Sequence, residues 1–222
     1  MKARYSTLFA TVMILIASSA SAARWVIPAA AHAVGSGGTN WRTDLRIVNS
    51  DATVAAVRLY LLPAATDNGG LDRSTDLTVP AGGQLKIADV LESRFSFAGT
   101  AALLVESDSD GLVVTSRTYN LAPGGTYGQF IPGVSTRRAL QPGETGHLVG
   151  LAKSDDLRSN LGFAGVSTTP ATVSVTLVDR DGRELGFGTF ALPPFGQHQV
   201  NDVFAAVGAP PAAAATAGRS RT

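Results

Sequence analysis

The feature that most constrains this chain is an internal repeat. The stretch Trp41–Asn49, WRTDLRIVN, recurs as LRSNLGFAG at Leu157–Gly165, a constant 116 positions later. After a three-residue slip, VPAGGQLKIADVL at Val79–Leu91 matches LPPFGQHQVNDVF at Leu192–Phe204, with a shared proline, glycine, glutamine, aspartate and valine. A repeat of this length indicates two copies of one folding unit. It does not by itself indicate an activity.

Residues 1–22 are typical of a cleaved secretory signal peptide. Lys2 and Arg4 precede an apolar run at Leu8–Ala17, and small residues ending at Ala22 form the cleavage site. A membrane anchor is the alternative, but a spanning helix needs about 20 apolar residues, and this run is shorter. The chain has no cysteine to carry a lipid anchor. The sequence therefore predicts an exported protein, extracellular or periplasmic, without a transmembrane segment in its mature part.

Charge and cysteine content narrow the function classes. The chain has 18 basic and 17 acidic residues, and loss of the signal peptide removes two basic ones, so the mature chain carries a formal charge of −1. Without a cluster of lysines and arginines, nucleic-acid binding is disfavoured. Without cysteine there are no disulfides, so burial of apolar surface must stabilise the fold.

Between residues 23 and 206 the chain consists of short β-type runs separated by Gly, Pro and Asp clusters, which predicts an all-β, antiparallel sandwich. The individual expectations are a strand at Trp25–Ile27 ended by Pro28, a loop at Ala29–Asn40, a hairpin of Leu77–Val79 with Gln84–Ile87, a helical turn within Ala88–Phe95 and a hairpin of Ala101–Ser107 with Leu112–Asn120. Five further strands are expected near His147–Leu151, Arg158–Ala164, Thr172–Asp179, Gly186–Leu192 and Gln197–Val200.

The repeat suggests a division into two tandem β-sandwich units, residues 23–126 and 127–206, followed by a disordered Ala/Pro-rich tail at 207–222. The second unit is truncated, because nothing in it matches the hairpin at Ala101–Asn120. Either that hairpin serves both units, or the second unit has an open sheet edge that soluble proteins normally cover. An open edge would allow a homodimer.

No residue pattern predicts a catalytic, cofactor or metal site. The three histidines, His32, His147 and His198, have no ligand spacing, and we interpret them as structural or solvated. Asp108–Gly111 and Asp179–Gly182 resemble the start of a calcium loop but lack its later ligands, so plain turns are the better interpretation.

The best candidate for a functional constellation is the repeated Arg-(Thr/Ser)-(Asp/Asn)-Leu motif. One interpretation is a ligand-binding patch in which Arg42 and Asp44, or Arg158 and Asn160, meet a glycan or a peptide carboxylate. The other is structural: the arginine bonds loop carbonyls and the Asp or Asn caps a turn. The structural interpretation is favoured, because a fold requirement would recur in both copies.

The motifs WRTDLRIVN, VESDSDGLVVTSRTYN and GTYGQFIPG resemble those of a family of secreted bacterial β-sandwich repeats, largely uncharacterised, found alone or appended to exported hydrolases. The resemblance extends over residues 25–204. It implies an exported, immunoglobulin-like module and transfers no catalytic residue. The truncated second unit departs from the complete repeat of that family.

The leading hypothesis is therefore a non-catalytic module for binding, adhesion or scaffolding, with an unknown protein or glycan ligand. One alternative is a secreted hydrolase whose site lies in the loops Ala29–Asn40 and Pro63–Thr75, since long loops often carry sites. Another is a chaperone-like or self-associating protein that uses the open sheet edge.

Overall fold

The structure confirms an all-β fold with antiparallel sheets. This computed structural model describes residues 22–155 and 157–211 and the backbone of residues 215–221. The predicted signal peptide, except Ala22, lies outside the described residues. Within them, no helix is long and apolar enough to span a membrane. The assignment of two tandem units remains a prediction.

A nine-stranded sheet accounts for the N-terminal half, in the order β4-β3-β6-β1-β2-β7-β8, with β5 also on β2 and β9 also on β1. Its strands are β1 (Ala23–Val34), β2 (Asn40–Asn49), β3 (Ala55–Pro63), β4 (Ser74–Val79), β5 (Gln84–Ile87), β6 (Gly99–Ser107), β7 (Leu112–Ala122), β8 (Gly125–Pro132) and β9 (Val134–Ser135). Helix α1 (Val90–Phe95) connects β5 to β6. Only the last two residues of β1 pair with β2, so the sheet divides there into two layers.

The two layers enclose the first core. Alternate residues of β2, such as Leu45 and Ile47, are fully buried, while Arg46 between them is exposed. Leu59 and Leu103 face them from the other layer. This is the alternation expected of a strand with one buried face, and each fully buried leucine contributes roughly 1.5–3 kcal/mol.

The C-terminal half builds a second core between a four-stranded sheet and a two-stranded pair. The sheet has the order β10-β15-β12-β13 and the pair is β11-β14. These strands are β10 (Thr145–Leu151), β11 (Leu161–Ala164), β12 (Ala171–Val178), β13 (Glu184–Leu192), β14 (Gln197–Val200) and β15 (Ala215–Arg221), with helix α2 (Val203–Ala206) after β14. Phe163, Val175, Leu177 and Phe204 are central to this core.

Phe195 joins the two halves. Its side chain is only 2% exposed and packs on the outer face of β1, β3 and β6 among Val26, Leu62 and Leu104. Asn68 adds hydrogen bonds, donating from its backbone to the carbonyl of Pro194 at 2.9 Å and from Nδ2 to that of Phe195 at 3.1 Å. The relative position of the two cores is therefore fixed by apolar packing and by polar bonds at its rim.

The order of elements β2-β3-β4-β5-α1 recurs as β11-β12-β13-β14-α2, in step with the sequence repeat. The five strands expected in the second half are all present, and α1 lies at the expected helical turn. The strand pairs of the large sheet continue to Ser135, beyond the predicted boundary at residue 126.

The strand predicted at Trp25–Ile27 is present, but its predicted end at Pro28 and the loop predicted after it were wrong. β1 passes through Pro28 and includes Ala29–Val34, the first half of the stretch that was expected to be a loop. The pairing of β1 with β6 shifts between Ile27 and Ala30. An irregularity at this point tolerates a proline, which cannot donate to the ladder.

Both predicted hairpins in the first half were also wrong. β4 pairs with β3 and β5 with β2, so the turn at 80–83 connects the two layers rather than two neighbouring strands. In the same way β6 pairs with β1 and β3, whereas β7 pairs with β2 and β8. Neither β6 nor β7 therefore pairs with a described strand of the second half.

The tail was predicted to be disordered, but Val207 and Ala209 are buried in the second core and β15 pairs with both β10 and β12. β15 thus takes the position that β6 has between β1 and β3. Among the described strands, β11 pairs with β14 alone, so it lacks a neighbour in the place that β7 has beside β2. The homodimer through this edge is not tested by the fold and stays a prediction.

Candidate functional site

The first copy of the repeated motif holds a polar cluster around Asp89. Nε of Arg42 lies 3.0 Å from one carboxylate oxygen of Asp89, and Nδ1 of His32 lies 2.8 Å from the same oxygen. Oδ1 of Asp44 accepts hydrogen bonds from the backbone N–H of Asp89 at 3.1 Å and from the Tyr119 hydroxyl at 3.2 Å. Burial and the neighbouring Asp44 carboxylate raise the pKa of Tyr119. The cluster therefore ties β1, β2 and β7 to the start of α1.

The cluster explains a strained backbone. Asp89 precedes α1 with φ 42° and ψ 62°, in the left-handed region that a non-glycine residue rarely occupies. The bond from its N–H to Asp44 and its ion pair with Arg42 hold it there. Thr43, fully buried between these motif residues, bonds both backbone groups of Ala31 through its hydroxyl. The motif thus locks the neighbouring strand as well as the helix start.

His32 and Asp89 form the only pairing in this region that resembles general-base chemistry. A hydrolase of this type also needs a nucleophile bonded to the histidine. Among the described residues, the other ring nitrogen of His32 has only the Glu92 carboxylate near it, at 4.0 Å. The arrangement can hold a histidine in place, but it does not present a hydroxyl for attack.

The second copy of the motif repeats the structural part of this arrangement. Oδ1 of Asn160 accepts from the backbone N–H of Asp202 at 3.1 Å, and Asp202 is again left-handed, with φ 57°. The Ser159 hydroxyl bonds both backbone groups of Ala152, as Thr43 does with Ala31. The Asp/Asn position therefore fixes a left-handed aspartate in both copies.

The arginines of the two copies differ in their partners. Arg42 is paired with Asp89, but the direct partner of Asp202 is Lys153, at 2.7 Å. Arg158 contributes only a minor electrostatic effect at Asp202. Its exposed side chain instead lines a cleft between the two halves of the molecule.

The Asp202 pair makes a testable contribution to acid stability. The hydrogen bond from Lys153, followed by that from the Ala205 N–H, lowers the pKa of Asp202 below its ordinary 3.8. A carboxyl with a lowered folded-state pKa adds stability that is complete above about pH 5 and is lost as the pH falls through the folded value. We expect Asp202→Asn to destabilise the protein at neutral pH and to lose this effect toward pH 2. Urea unfolding at several pH values measures the difference, and a constant difference would contradict the assignment.

The cleft has a volume of about 360 Å³. Its walls come from β1 and the start of β2 on one side and from the segment before β11 and from β14 on the other. The polar and aromatic residues of the lining are Trp41, Thr100, Thr118, Gln129, Arg158, Asn160, Gln197, Gln199 and Asn201. Small residues of β1 complete it. The cleft therefore combines five side-chain amides with one aromatic ring and one cation.

Gln197 is the most buried polar residue of this cleft. It is 2% exposed, and within the described part of the chain its Oε1 has no hydrogen-bond partner. Its backbone is fixed by a bridge to Ala64 and by the N–H of Ala65, which donates to the Gln197 carbonyl at 2.9 Å. A buried carbonyl oxygen without a hydrogen-bond partner destabilises the fold by roughly 1–3 kcal/mol. Another interaction must therefore offset this cost at Gln197.

The structure places the four motif residues in two different environments. Arg42 and Asp44 are joined with His32, which the spacing of the sequence did not indicate. Arg158 and Asn160 lie in the cleft with Trp41. The partners Asp89 and Asp202 were present in the sequence as the shared aspartate of the repeat, but their contact with Asp44 and Asn160 was missed. The burial of Gln197 had no sequence signal, since its repeat counterpart Gln84 is exposed.

The remaining histidines do not join either site. His198 stacks against Phe163 and Phe190, with ring centroids 6.5 and 5.8 Å away. His147 lies on β10. Within the described part of the chain, no group of three His, Cys, Asp or Glu residues could hold a metal ion. The acidic turn at Asp179 is a plain hairpin turn, since its carboxylate accepts from the N–H groups of Asp181 and Arg183.

Comparisons with known proteins add little to this geometry. No protein-family model matches the chain, and no curated protein matches it. A solved structure described as the crystal structure of Thermotoga maritima 1070 is similar at a TM-score of 0.40 and 14% identity, and the match covers 50% of this chain and 92% of that one. A likeness of this size supports no conclusion on function. The function must therefore be inferred from the residues of this chain alone.

Proposed function

We propose that this protein is an exported, non-catalytic binding module whose ligand occupies the cleft between the two cores. The observation that carries the proposal is the buried Oε1 of Gln197, which lines the cleft and has no partner among the residues that the structure describes. Buried polar atoms almost always have a partner. A ligand donor supplies one here.

The composition of the cleft favours binding over catalysis. Among the described residues, those that line it include no aspartate, glutamate or histidine. Acid-base and nucleophilic catalysis depend on such groups. Amide side chains and an arginine instead provide directional hydrogen bonds, which give affinity and specificity without a reaction.

The position of the cleft favours a preformed site. The packing of Phe195 and the bonds of Asn68 fix the two walls relative to one another. A site that does not have to be ordered on binding loses less affinity to conformational entropy. The export of the protein is part of the proposal and is supported by residues 1–22 of the sequence.

We predict that Arg158→Ala weakens ligand retention by about tenfold or more, because a charge-assisted hydrogen bond at the mouth of the cleft is lost. The measurement is retention of labelled protein, residues 23–222, on a panel of immobilised glycans and peptides. Arg46→Ala is the matched control, since Arg46 is exposed on β2 and does not line the cleft.

Retention that depends on Arg158 and not on Arg46 supports the proposal. A protein that retains no panel member, or that binds equally well with either arginine removed, contradicts it. The same panel tests the hydrolase alternative, which is favoured only by the pairing of His32 with Asp89. If the protein turns over any panel glycan or peptide and His32→Ala abolishes that turnover, the protein is a hydrolase and the proposed non-catalytic function is wrong.

A further inference from the structure

We infer that the ligand of the cleft is an oligosaccharide that carries a carboxylate. This inference rests on the proposed function and names its ligand class. Two features of the lining carry it: the number of amide side chains and the single arginine without a short ion pair.

The amides select for hydroxyl groups. The lining contains the amides of Gln129, Asn160, Gln197, Gln199 and Asn201, and an amide group carries both donors and an acceptor. Gln199 donates to Asn201 and Asn160 accepts from the Asp202 N–H, and the remaining donors and lone pairs are directed to a ligand. A sugar hydroxyl also donates and accepts, so several neighbouring amides match a polyhydroxylated ring. Apart from Trp41, the apolar part of the lining consists of alanines and Val34 of β1, which form no large apolar pocket for the side chains of a peptide.

Arg158 selects for a negative charge. It is the only charged residue among the described residues of the lining. Its repeat counterpart Arg42 forms an ion pair with Asp89. The aspartate that corresponds to Asp89 in the second copy is Asp202, and it forms its ion pair with Lys153. Among the described residues, no carboxylate lies within ion-pair distance of Arg158. A guanidinium matches a carboxylate through two parallel hydrogen bonds.

Arg158 and the amides line one small space. Arg158 and Asn160 are at the exposed mouth, and Gln197 is at the buried end. The volume of about 360 Å³ lies within the range of small-molecule sites. A uronic acid unit can place its carboxylate at the mouth while its hydroxyls reach the amides.

The test is isothermal titration calorimetry of residues 23–222 with tetragalacturonate and with its methyl ester. The ester keeps the hydroxyls and removes the charge. We expect the acid to bind about tenfold or more tightly than the ester, and Arg158→Ala to remove that preference. Affinity for the acid falls as salt is raised. Arg46→Ala keeps the wild-type values.

Equal binding of acid and ester, or binding of neither, overturns the ligand class. The glycan and peptide panel separates this failure from that of the proposed function. If the panel shows retention of a neutral glycan or of a peptide, and this retention depends on Arg158, the proposed binding function stands. Only the proposed ligand class, a carboxylate-bearing oligosaccharide, is then wrong. If the panel retains nothing, both fail.

Discussion

Phe195→Ala is expected to lower the free energy of unfolding by about 3–5 kcal/mol, the range for removing a buried phenylalanine ring. The ring is 2% exposed and fills the contact between the outer face of the first layer and the second half of the molecule. Removing the ring leaves a cavity among Leu62, Leu104 and Tyr60. The hydrogen-bonded strands of the sheet cannot move in to fill it. We expect the two cores to unfold separately in this variant.

The chain provides a direct readout of that separation. Both tryptophans, Trp25 and Trp41, lie in strands of the large sheet. Their fluorescence therefore reports the first core, whereas far-ultraviolet circular dichroism reports both. In the wild type the two urea curves should coincide, and in Phe195→Ala they should not. Phe187→Ala is the control, because that ring is 53% exposed on β13. Equal effects of the two variants would contradict the interface.

Truncation after Pro211 is expected to remove the cooperative unfolding of the second core. β15 lies between β10 and β12 and pairs with both along their length. Without it, β10 loses its only partner strand and β12 gains an open edge. Exposed edges of this kind favour association between chains. We therefore expect loss of circular dichroism signal in the second core and a rise in apparent mass.

The first core serves as the internal control for the truncation. None of its strands pairs with β15, so the tryptophan fluorescence transition should change little. A truncated protein with the full circular dichroism signal and an unchanged unfolding curve would show that the C-terminal segment is dispensable, as its composition had suggested.

The fold class could be predicted from the sequence because it depends on local patterns. Alternation in β2 and β12 and the turn residues between strands indicate an all-β chain without any knowledge of pairing. Pairing itself depends on distant residues. The turn at Gly82 and Gly83 has the same chemistry whether it connects neighbouring strands or opposite layers, so the hairpin prediction there had no local signal to correct it.

The tail shows the same limit. Ala215–Arg221 is rich in alanine and glycine, which have low intrinsic preference for strands. It becomes a strand because β10 and β12 offer free backbone groups on either side. The sequence could not show that β10 and β12 lie in the same sheet with room for one strand between them.

The candidate site was predicted in part. The repeated motif singled out Asp44 and Asn160 as a matched pair, and each accepts a hydrogen bond from the backbone N–H of the matching aspartate, Asp89 or Asp202. The difference between Arg42 and Arg158 arises from Lys153, which lies outside the repeat match. The cleft depends on the packing of the two halves, which no single motif encodes.

The most direct test of the account is a nuclear magnetic resonance titration of the protein with each panel member that it retains, read at the side-chain amide groups. If the cleft is the binding site, the resonances of Gln197, Asn160 and Gln199 shift with a common saturation curve. The side-chain amide resonances of Gln84, the exposed repeat counterpart of Gln197 on β5, do not shift. A ligand that saturates the protein while the Gln197 amide does not move would show that binding occurs elsewhere, and the central claim would be wrong.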